Sequence, residues 1–291
     1  MKLDTGCLKE LNKLKDILLL SRIWYPISSI PKCGTENPKC GSKNPECGSK
    51  NPKCGTENPA SSIQYLLTHY LCRMNIKAFS SSFINKFIFL KRAFGKKPFR
   101  LLDIGAGNHS ATKAKRVFPN CEYHGVDMER DYNNSEADLK LMDAFYEMDL
   151  TKLNFNAIPD NYFDAILMAH VIEHLYNGDE VLKGLLPKLK SGGYIYLEYP
   201  GEKSTRLPSM EGTLNFKDDA THVRVYSVKE LSDLLKANGF TILKAGMRRN
   251  IWFLMAMPFR IIKCWVSGKK LQGNIFWDVL GFAEFVWAKK N

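Results

Sequence analysis

The sequence predicts an α/β fold: a doubly wound, mostly parallel sheet of seven strands, with a helical N-terminal extension and a helical insertion near the C-terminus. Three observations lead to this prediction. From residue 99 onward, short apolar runs alternate with amphipathic runs of helical period, as in parallel strands joined by crossover helices. The first apolar run ends in a turn with two glycines. The chain of 291 residues is long enough for one large domain with extensions.

The residues before this alternation divide into three predicted segments. Residues 1–31 contain leucines at helical spacing, which predicts an amphipathic helix. Residues 32–59 repeat a seven-residue unit with Cys-Gly and Asn-Pro and hold almost no apolar side chains, which predicts a disordered linker. Its cysteines lie seven residues apart, whereas zinc sites use closely spaced pairs. Residues 60–98 contain apolar, helix-like stretches and form a helical lead-in.

The predicted sheet lies in residues 99–291. Its strands, in chain order, are FRLLDIG, CEYHGVD, FYEMDL, YFDAILMAHV, GGYIYLEYP, TILKAGM and, at 281–290, GFAEFVWAKK. Between them, SATKAKRVF, GDEVLKGLLPKLK and VKELSDLLKANGF are amphipathic and predict helices, and Gly239 ends the last of these. The apolar and basic segment 248–280 interrupts the alternation before the final strand.

The turn after the first strand, LLDIGAGNHS at 101–110, predicts a ligand site. Ligands of open α/β sheets bind beyond the carboxyl ends of the strands, and glycines such as Gly105 and Gly107 let the backbone approach a ligand closely. Dinucleotides, nucleotide phosphates and S-adenosylmethionine are all candidates. A dinucleotide site favours a third glycine where this chain has Ser110. Asp127 ends the second strand, where a carboxylate can accept hydrogen bonds from both hydroxyls of a ribose.

Six segments in order resemble the motifs of a known family. LLDIGAGNHS, GVDMER, YEMDL, NYFDAILMAHVIEHL, LKSGGYIYLEYP and DDATHVRVYSVKELSDLLKANGF are similar, in order and spacing, to the motifs of class I S-adenosylmethionine-dependent methyltransferases. The resemblance covers about 100–246, with a closing strand at 281–290. It implies a Rossmann-like methyltransferase domain over 99–291 that binds S-adenosylmethionine. The usual third glycine of the family falls on His109 here.

The resemblance also implies roles for individual residues around the cofactor. Asp103 would hold the amino group of the methionine moiety, and Asp127 would bind the ribose. Met128, Asp149 and Leu150 would surround the adenine, and His170 would lie beside the sulfonium. For the acids, helix capping and turn formation are the alternative roles. The expected cofactor-binding residues are Asp103, Ile104, Gly105, Ala106, Gly107, Asp127, Met128, Asp149, Leu150 and His170.

Catalysis would need few groups. Transfer from a sulfonium mainly requires alignment of donor and acceptor, and a hydroxyl acceptor also benefits from a base. We predict His174, His222 and Glu173 as catalytic residues, with His170 a further candidate base, although each histidine could instead hold a loop. These four residues could together bind a divalent cation, as in the similar Glu-x-x-Glu-His stretches of small-RNA 2′-O-methyltransferases and ubiquinone-pathway O-methyltransferases. Because His170 replaces the first Glu of that pattern, we predict no metal.

The charge distribution bears on partners. Residues 1–100 hold 18 Lys and Arg against 6 Asp and Glu, 101–247 hold 16 against 22, and 248–291 hold 8 against 2. An acidic core argues against nucleic acid as a partner, whereas basic ends suit anionic lipid or simply solubility. The Trp-, Phe- and Arg-containing segment 248–280 suits a membrane surface or a cap over the cleft.

The sequence therefore predicts an S-adenosylmethionine-dependent methyltransferase that O-methylates a small or a lipid- or saccharide-linked acceptor. The alternatives are a non-catalytic, cofactor-binding scaffold at a membrane and an NAD-dependent Rossmann oxidoreductase. Ser110 and the HVIEHL segment disfavour the oxidoreductase. Without a secretory signal or an apolar run of about 18 residues, we expect the protein in the cytoplasm, in peripheral contact with the inner face of the membrane.

Overall fold

Seven strands form one sheet in the order β3-β2-β1-β4-β5-β7-β6 in the computed structural model, which describes residues 84–291. Strands β1 to β5 pair in parallel, and β7 is antiparallel to both β5 and β6. The predicted doubly wound, mostly parallel sheet is thus confirmed. The strands are β1 Arg100–Ile104, β2 Glu122–Asp127, β3 Ala144–Glu147, β4 Phe163–Ala169, β5 Leu189–Pro200, β6 Phe240–Met247 and β7 Ala283–Lys290.

The α-helices follow the amphipathic stretches of the sequence. Ser227 begins one of them by accepting a hydrogen bond from the backbone N–H of Glu230 at 3.2 Å, and Gly239 follows its end with a φ of +82°. In the described chain the helices are α1 Asn85–Phe94, α2 Ser110–Val117, α3 Glu136–Leu139, α4 Gly178–Leu185, α5 Val228–Ala237, α6 Ile251–Val266 and α7 Trp277–Leu280.

Both faces of the sheet are covered by apolar side chains. Along β4, Ile166 and Met168 belong to one core, whereas Ala165 and Leu167 belong to the other. Phe89 of α1 joins the second core. Because successive side chains of a strand point to opposite faces, a strand buried on both faces is a continuous apolar run, as in the printed sequence of β4.

The order of the strands determines where a ligand can bind. Strand β1 has β2 on one side and β4 on the other. After β1 the chain therefore builds β2 and β3 on one side, and it then returns to add β4 on the other side of β1. The loops after β1 and β4 diverge at this switch and leave a crevice beyond the carboxyl ends of the two strands. The glycine turn and the HVIEHL segment lie at this edge.

Helices α6 and α7 lie in the segment 248–280, where the sequence predicts a helical insertion. In the described part of the chain, no helix is both long and apolar enough to cross a membrane. The helix predicted in 1–31, the linker at 32–59 and the first part of the 60–98 lead-in lie outside the described residues.

Candidate functional site

A cavity of about 650 Å³ lies at the carboxyl edge of β1 and β4. It brings together side chains and backbone from the glycine turn, the ends of β2 and β4, and the insertion. Five of the predicted site residues line it: Gly105, Gly107, Asp127, His170 and His174. The walls also include Lys86, Ser110, Lys113, Thr221, Glu198, Arg248, Phe253 and Trp277.

Backbone hydrogen bonds join the glycine turn to β2. The N–H groups of Gly105 and Ala106 both donate to the carbonyl of Val126, at 2.8 and 3.1 Å. Gly105 has a φ of +77°, and a Cβ there would lie 2.5 Å from Cγ2 of Val171. A Cβ on Gly107 would lie 2.7 Å from the ring of Tyr132. The protein's own packing therefore requires both glycines, in addition to the ligand approach that the sequence indicated.

His109 stands in the left-handed backbone region, with a φ of +58°. Glycine adopts this conformation most readily, in agreement with the third glycine that the resemblance implies here. Here the imidazole Nδ1 lies 2.6 Å from Oδ2 of Asp138, and the backbone N–H donates to Oδ1 of Asn134 at 3.1 Å. These two contacts hold the turn in the same conformation without a glycine.

Asp103 is almost fully buried at the end of β1. Its Oδ2 accepts hydrogen bonds from Ser110 Oγ at 2.5 Å and from the Tyr123 hydroxyl at 2.7 Å. Within the described residues, Oδ1 accepts no hydrogen bond, although Lys86 Nζ lies 3.8 Å away. One oxygen of Asp103 is thus available to a further donor. Sequence reasoning missed Lys86, which is a single cation in the apolar stretch FINKFIFL.

Backbone N–H groups orient the carboxylate of Asp127. Oδ2 accepts from the N–H of Gly107 at 3.1 Å, and Oδ1 accepts from the N–H of Met128 at 2.8 Å. Burial raises the pKa of this carboxyl, and the backbone N–H groups partly oppose that shift. Met128 itself is largely exposed. The geometry places a rigid acceptor at the cavity wall, where the sequence predicts a ribose contact.

The remaining predicted cofactor residues have structural roles. Asp149 accepts a hydrogen bond from the N–H of Thr151 at 2.9 Å and thereby caps the short helix Leu150–Lys152. The side chains of Ile104, Ala106 and Leu150 are buried in the apolar cores. Their predicted contacts with the cofactor stay predictions.

Glu173, His174 and His222 form a second cluster at the same edge. Glu173 is fully buried, and neither of its carboxylate oxygens has a hydrogen-bond partner among the described residues. Nε2 of His174 and Nε2 of His222 each lie 4.0 Å from Oε1 of Glu173. The three potential ligand atoms lie within 4.8 Å of one another. The structure thus brings together the three residues predicted as catalytic.

The outer hydrogen bonds of the cluster determine which ring nitrogens carry protons. The hydroxyl of Thr221 donates to Oδ1 of Asp219 at 2.5 Å, so it accepts from Nδ1 of His174 at 2.8 Å. Nδ1 of His222 donates to the carbonyl of Phe216 at 2.6 Å. In the neutral rings, both Nε2 lone pairs therefore face Glu173. Three acceptors therefore face one another, with Nδ1 of His170 as a donor 3.3 Å from Oε1 of Glu173. The space between the two Nε2 atoms and the carboxylate favours a proton or a cation.

His170 directly follows β4 and stands in the left-handed region, with a φ of +58°. Its Nδ1 lies 3.3 Å from Glu173 Oε1 and its Nε2 lies 3.2 Å from Glu198 Oε1. Burial lowers the pKa of the imidazole, but the two carboxylates outweigh burial and raise the pKa to about 9. His170 is therefore a cation at neutral pH, which disfavours it as a base.

Arg248 and Asp278 form a buried ion network with Glu198 that sequence reasoning missed. Arg248 donates from Nη1 to Glu198 at 2.8 Å, and from Nε and Nη2 to the two oxygens of Asp278 at 3.1 and 2.8 Å. All three residues are buried. The three residues lie far apart along the chain, so no local sequence pattern indicates that they form ion pairs with one another. The network attaches both ends of the insertion to β5.

Comparison with known structures extends these observations. The structure of a putative sarcosine dimethylglycine methyltransferase from Galdieria sulphuraria is similar with a TM-score of 0.51 and 15% identity, covering 73% of this chain and 85% of that one. A SAM-dependent methyltransferase from Archaeoglobus fulgidus has a TM-score of 0.46 and 21% identity, over 78% of this chain and 99% of that one. At 15% identity, the likeness to the Galdieria sulphuraria structure shows the fold alone.

A third structure is phosphoethanolamine N-methyltransferase 2 of Haemonchus contortus in complex with S-adenosyl-L-methionine, with a TM-score of 0.49 and 21% identity. The match covers 70% of this chain and 51% of that one, so this chain spans about half of that protein. In a search by sequence, no curated protein matches the chain.

The family comparison covers the segment that contains the site. The family described as "Methyltransferase domain" matches residues 76–245, which is more than half of the chain. The matched segment includes the glycine turn, Asp127 and the Glu173, His174 and His222 cluster. The strand order and the family match agree. The chain therefore belongs to the class I S-adenosylmethionine-dependent methyltransferase family.

Proposed function

We propose that the protein transfers a methyl group from S-adenosylmethionine to a hydroxyl oxygen of an acceptor that has an apolar part. One observation carries this proposal. A single cavity is lined by the glycine turn and Asp127 and also by His174. The first group suits an adenosine-containing donor, and the second suits deprotonation of an acceptor.

The residues at the glycine turn fit the cofactor. The buried Oδ1 of Asp103 lacks a hydrogen bond within the described chain and can accept one from an ammonium group. Asp127 presents an oriented carboxylate to ribose hydroxyls. S-adenosylmethionine supplies a methyl carbon that its sulfonium already activates, so the leaving group needs no acid. The protein's contribution is alignment of donor and acceptor and removal of the acceptor proton.

His174 is the better placed of the two cluster histidines to act as the base. Its side chain is 30% exposed and lines the cavity, whereas that of His222 is 5% exposed. Thr221 holds Nδ1 of His174, which leaves Nε2 to accept the acceptor proton. The imidazolium that forms would lie 4.0 Å from the Glu173 carboxylate. Thr221, which donates to Asp219, orients the ring through Nδ1, and Glu173 would stabilise the charge of the imidazolium.

A divalent cation is the second candidate for the same cluster, because three acceptor atoms converge there. Glu173, His174 and His222 would hold it, and two imidazoles with one carboxylate are a common donor set for transition metals. Such a cation would lower the pKa of an acceptor hydroxyl. The predicted absence of a metal stays a prediction.

The first test uses the whole protein with methyl-labelled S-adenosylmethionine and separate lipid and aqueous extracts of the source cells. We expect the label to enter the lipid extract as an alkali-stable methyl ether. Label only in an amine product, or tight binding of NADH instead of S-adenosylhomocysteine, would contradict the proposal.

Glu173→Gln tests the cluster. We expect kcat for the labelled product to fall by about 100-fold or more, because the variant removes the charge that stabilises the His174 imidazolium. The affinity for S-adenosylhomocysteine should stay within about twofold of the parent by calorimetry, since Glu173 does not line the cavity. An unchanged kcat would rule out a catalytic role.

Treatment with a chelator then distinguishes catalysis by His174 as a base from catalysis by a bound divalent cation. If His174 acts alone, activity survives treatment with EDTA. If a cation is bound, EDTA abolishes activity, and one divalent metal restores it in the parent but not in Glu173→Gln. Metal content of the purified protein, measured by mass spectrometry, gives an independent result.

Helix α6 supports contact with a membrane surface and thereby an acceptor with an apolar part. Against the rest of the described chain, residues 84–291, none of its side chains becomes buried. Met255, Phe259 and Trp265 are exposed by 62%, 55% and 81%. Three exposed lysines lie close by in the sequence: Lys263, Lys269 and Lys270. Exposed aromatic side chains beside lysines are typical of helices that lie on anionic bilayers.

The position of α6 links this surface to the chemistry. Phe253 of the same helix lines the cavity, as does Trp277 of α7. The insertion therefore has one side at the cavity and another at solvent. An acceptor held in a bilayer would meet α6 on its way to His174.

Phe259→Ser with Trp265→Ser tests this contact. We expect the double variant to bind phosphatidylserine-containing vesicles at least about tenfold more weakly in a sedimentation assay, since each buried aromatic side chain contributes about 1.5–3 kcal/mol. The matched control is Leu243→Ser with Tyr176→Ser, which removes exposed apolar side chains elsewhere. Equal binding of both variants, with unchanged thermal unfolding, would contradict membrane contact through α6.

A further inference from the structure

Two lysines lie beside the glycine turn at the wall of the cavity. Lys86 of α1 and Lys113 of α2 both line it beside Gly107 and Ser110. Lys86 Nζ donates to Ser110 Oγ at 3.4 Å, and its side chain is only 16% exposed. Lys113 Nζ donates to the backbone carbonyl of Asn108 at 2.6 Å.

The two ammonium groups beside the glycine turn are not both paired with carboxylates in direct contact. Lys86 has one carboxylate in contact, that of Asp103 at 3.8 Å, and the hydrogen bond of Lys113 goes to a neutral carbonyl. Burial lowers the pKa of Lys113, and the charge of Lys86 lowers it further, as expected of two ammonium groups held near each other. The nearby Asp103 and Asp138 partly oppose this shift. An incoming anion would be stabilised here.

The buried oxygen of Asp103 gives the second half of the argument. Its Oδ1 is the acceptor that lacks a hydrogen bond among the described residues, and it lies on the same side as Lys86. A buried acceptor next to two ammonium groups is complementary to a zwitterion, with an ammonium at the acceptor and a carboxylate at the lysines. The methionine end of the proposed cofactor has that chemistry.

We infer that Lys86, with Lys113, binds the carboxylate of the methionine moiety, while Asp103 Oδ1 accepts a hydrogen bond from its ammonium group. This inference rests on the proposed function. It assigns a cofactor contact to α1, which precedes the glycine turn. Nζ of Lys86 lies 3.8 Å from Oδ1 of Asp103, so the lysine would turn from Asp103 to the carboxylate on binding.

Three ligands separate the two ends of the cofactor. S-adenosylhomocysteine has both the ammonium and the carboxylate, its decarboxylated form has only the ammonium, and 5′-methylthioadenosine has neither. Calorimetry with the full chain gives the affinity of each ligand for the parent, for Lys86→Met and for Lys91→Met. Lys91 is an exposed lysine of the same helix and serves as the control.

We expect Lys86→Met to weaken the binding of S-adenosylhomocysteine by about tenfold or more, because the variant loses about one charge-assisted hydrogen bond to the carboxylate. Decarboxylated S-adenosylhomocysteine and 5′-methylthioadenosine should keep their affinities, and Lys91→Met should change none. Lys113→Met should also weaken the binding of S-adenosylhomocysteine alone, but by a smaller factor.

An equal loss for all three ligands would overturn the inference, because Lys86 would then only support the fold. Unchanged or tighter binding of S-adenosylhomocysteine to Lys86→Met would overturn it too, since Lys86 would then merely compete for Asp103. If the parent binds none of the three ligands, the proposed function itself fails, which is a different result.

Discussion

Asp127→Ala is expected to weaken binding of S-adenosylhomocysteine by at least about 100-fold. The carboxylate would accept hydrogen bonds from two ribose hydroxyls, and hydrogen bonds to a charged group contribute about 1.5–3 kcal/mol each. Losing both hydrogen bonds, about 3–6 kcal/mol, corresponds to a factor of about 100 to 20,000 in the dissociation constant. Isothermal titration calorimetry on the whole chain measures the change.

The substitution also removes the oxygens to which the N–H groups of Gly107 and Met128 donate. Asp127→Asn separates the two effects, because it keeps an acceptor oxygen for one of those N–H groups and loses the charge. We expect an intermediate affinity for it. Glu129→Ala, an exposed acid two residues further on, is the matched control. If a folded Asp127→Ala variant bound S-adenosylhomocysteine as tightly as the parent does, Asp127 would not be the ribose-binding residue.

Arg248→Met is expected to destabilise the protein by about 3–5 kcal/mol, because it leaves the buried carboxylates of Glu198 and Asp278 without their cation. For a domain of this size that corresponds to a fall in Tm of about 10 °C. Differential scanning calorimetry checks it. The control is Arg249→Met, since the neighbouring Arg249 is exposed and donates to the backbone carbonyls of Asp278 and Val279. We expect that control to lower Tm far less.

The effect of Arg248→Met should depend on pH. Burial favours the neutral form of Glu198, but Arg248, His170 and Tyr196 together hold the pKa of this carboxyl well below its ordinary value. A carboxyl with a depressed pKa in the folded state stabilises the protein above its unfolded-state pKa, about 4.3, and that contribution is lost as pH falls. The difference in Tm between parent and variant should therefore shrink below about pH 4. If the difference in Tm stayed constant as pH falls, Glu198 would be excluded as the cause of the destabilisation.

The same network bears on how the insertion can be tested. A deletion of 248–280 would remove both Arg248 and Asp278 and leave Glu198 buried without its arginine. Loss of membrane binding by that deletion could then reflect unfolding. The exposed substitutions in α6 avoid this difficulty, because they leave the ion network intact.

Much of the fold follows from the sequence by itself. The continuous apolar run of β4 predicts a strand buried on both faces, and the helical spacing in VKELSDLLKANGF predicts α5, because local periodicity reports which faces of an element are buried. The glycine turn and Asp127 were found in the same way, since a parallel strand brings the residue after its end to the ligand edge of the sheet.

The tertiary structure alone decided which polar groups meet. Lys86 reaches Asp103, Arg248 reaches Glu198 and Thr221 holds His174 across elements that no local spacing relates. Such contacts depend on strand order, on lateral packing and on burial, which strengthens a charge pair that solvent would otherwise screen. The sequence by itself therefore determined the sheet and its ligand edge. The charges, protons and unsatisfied acceptors at that edge required the assembled fold.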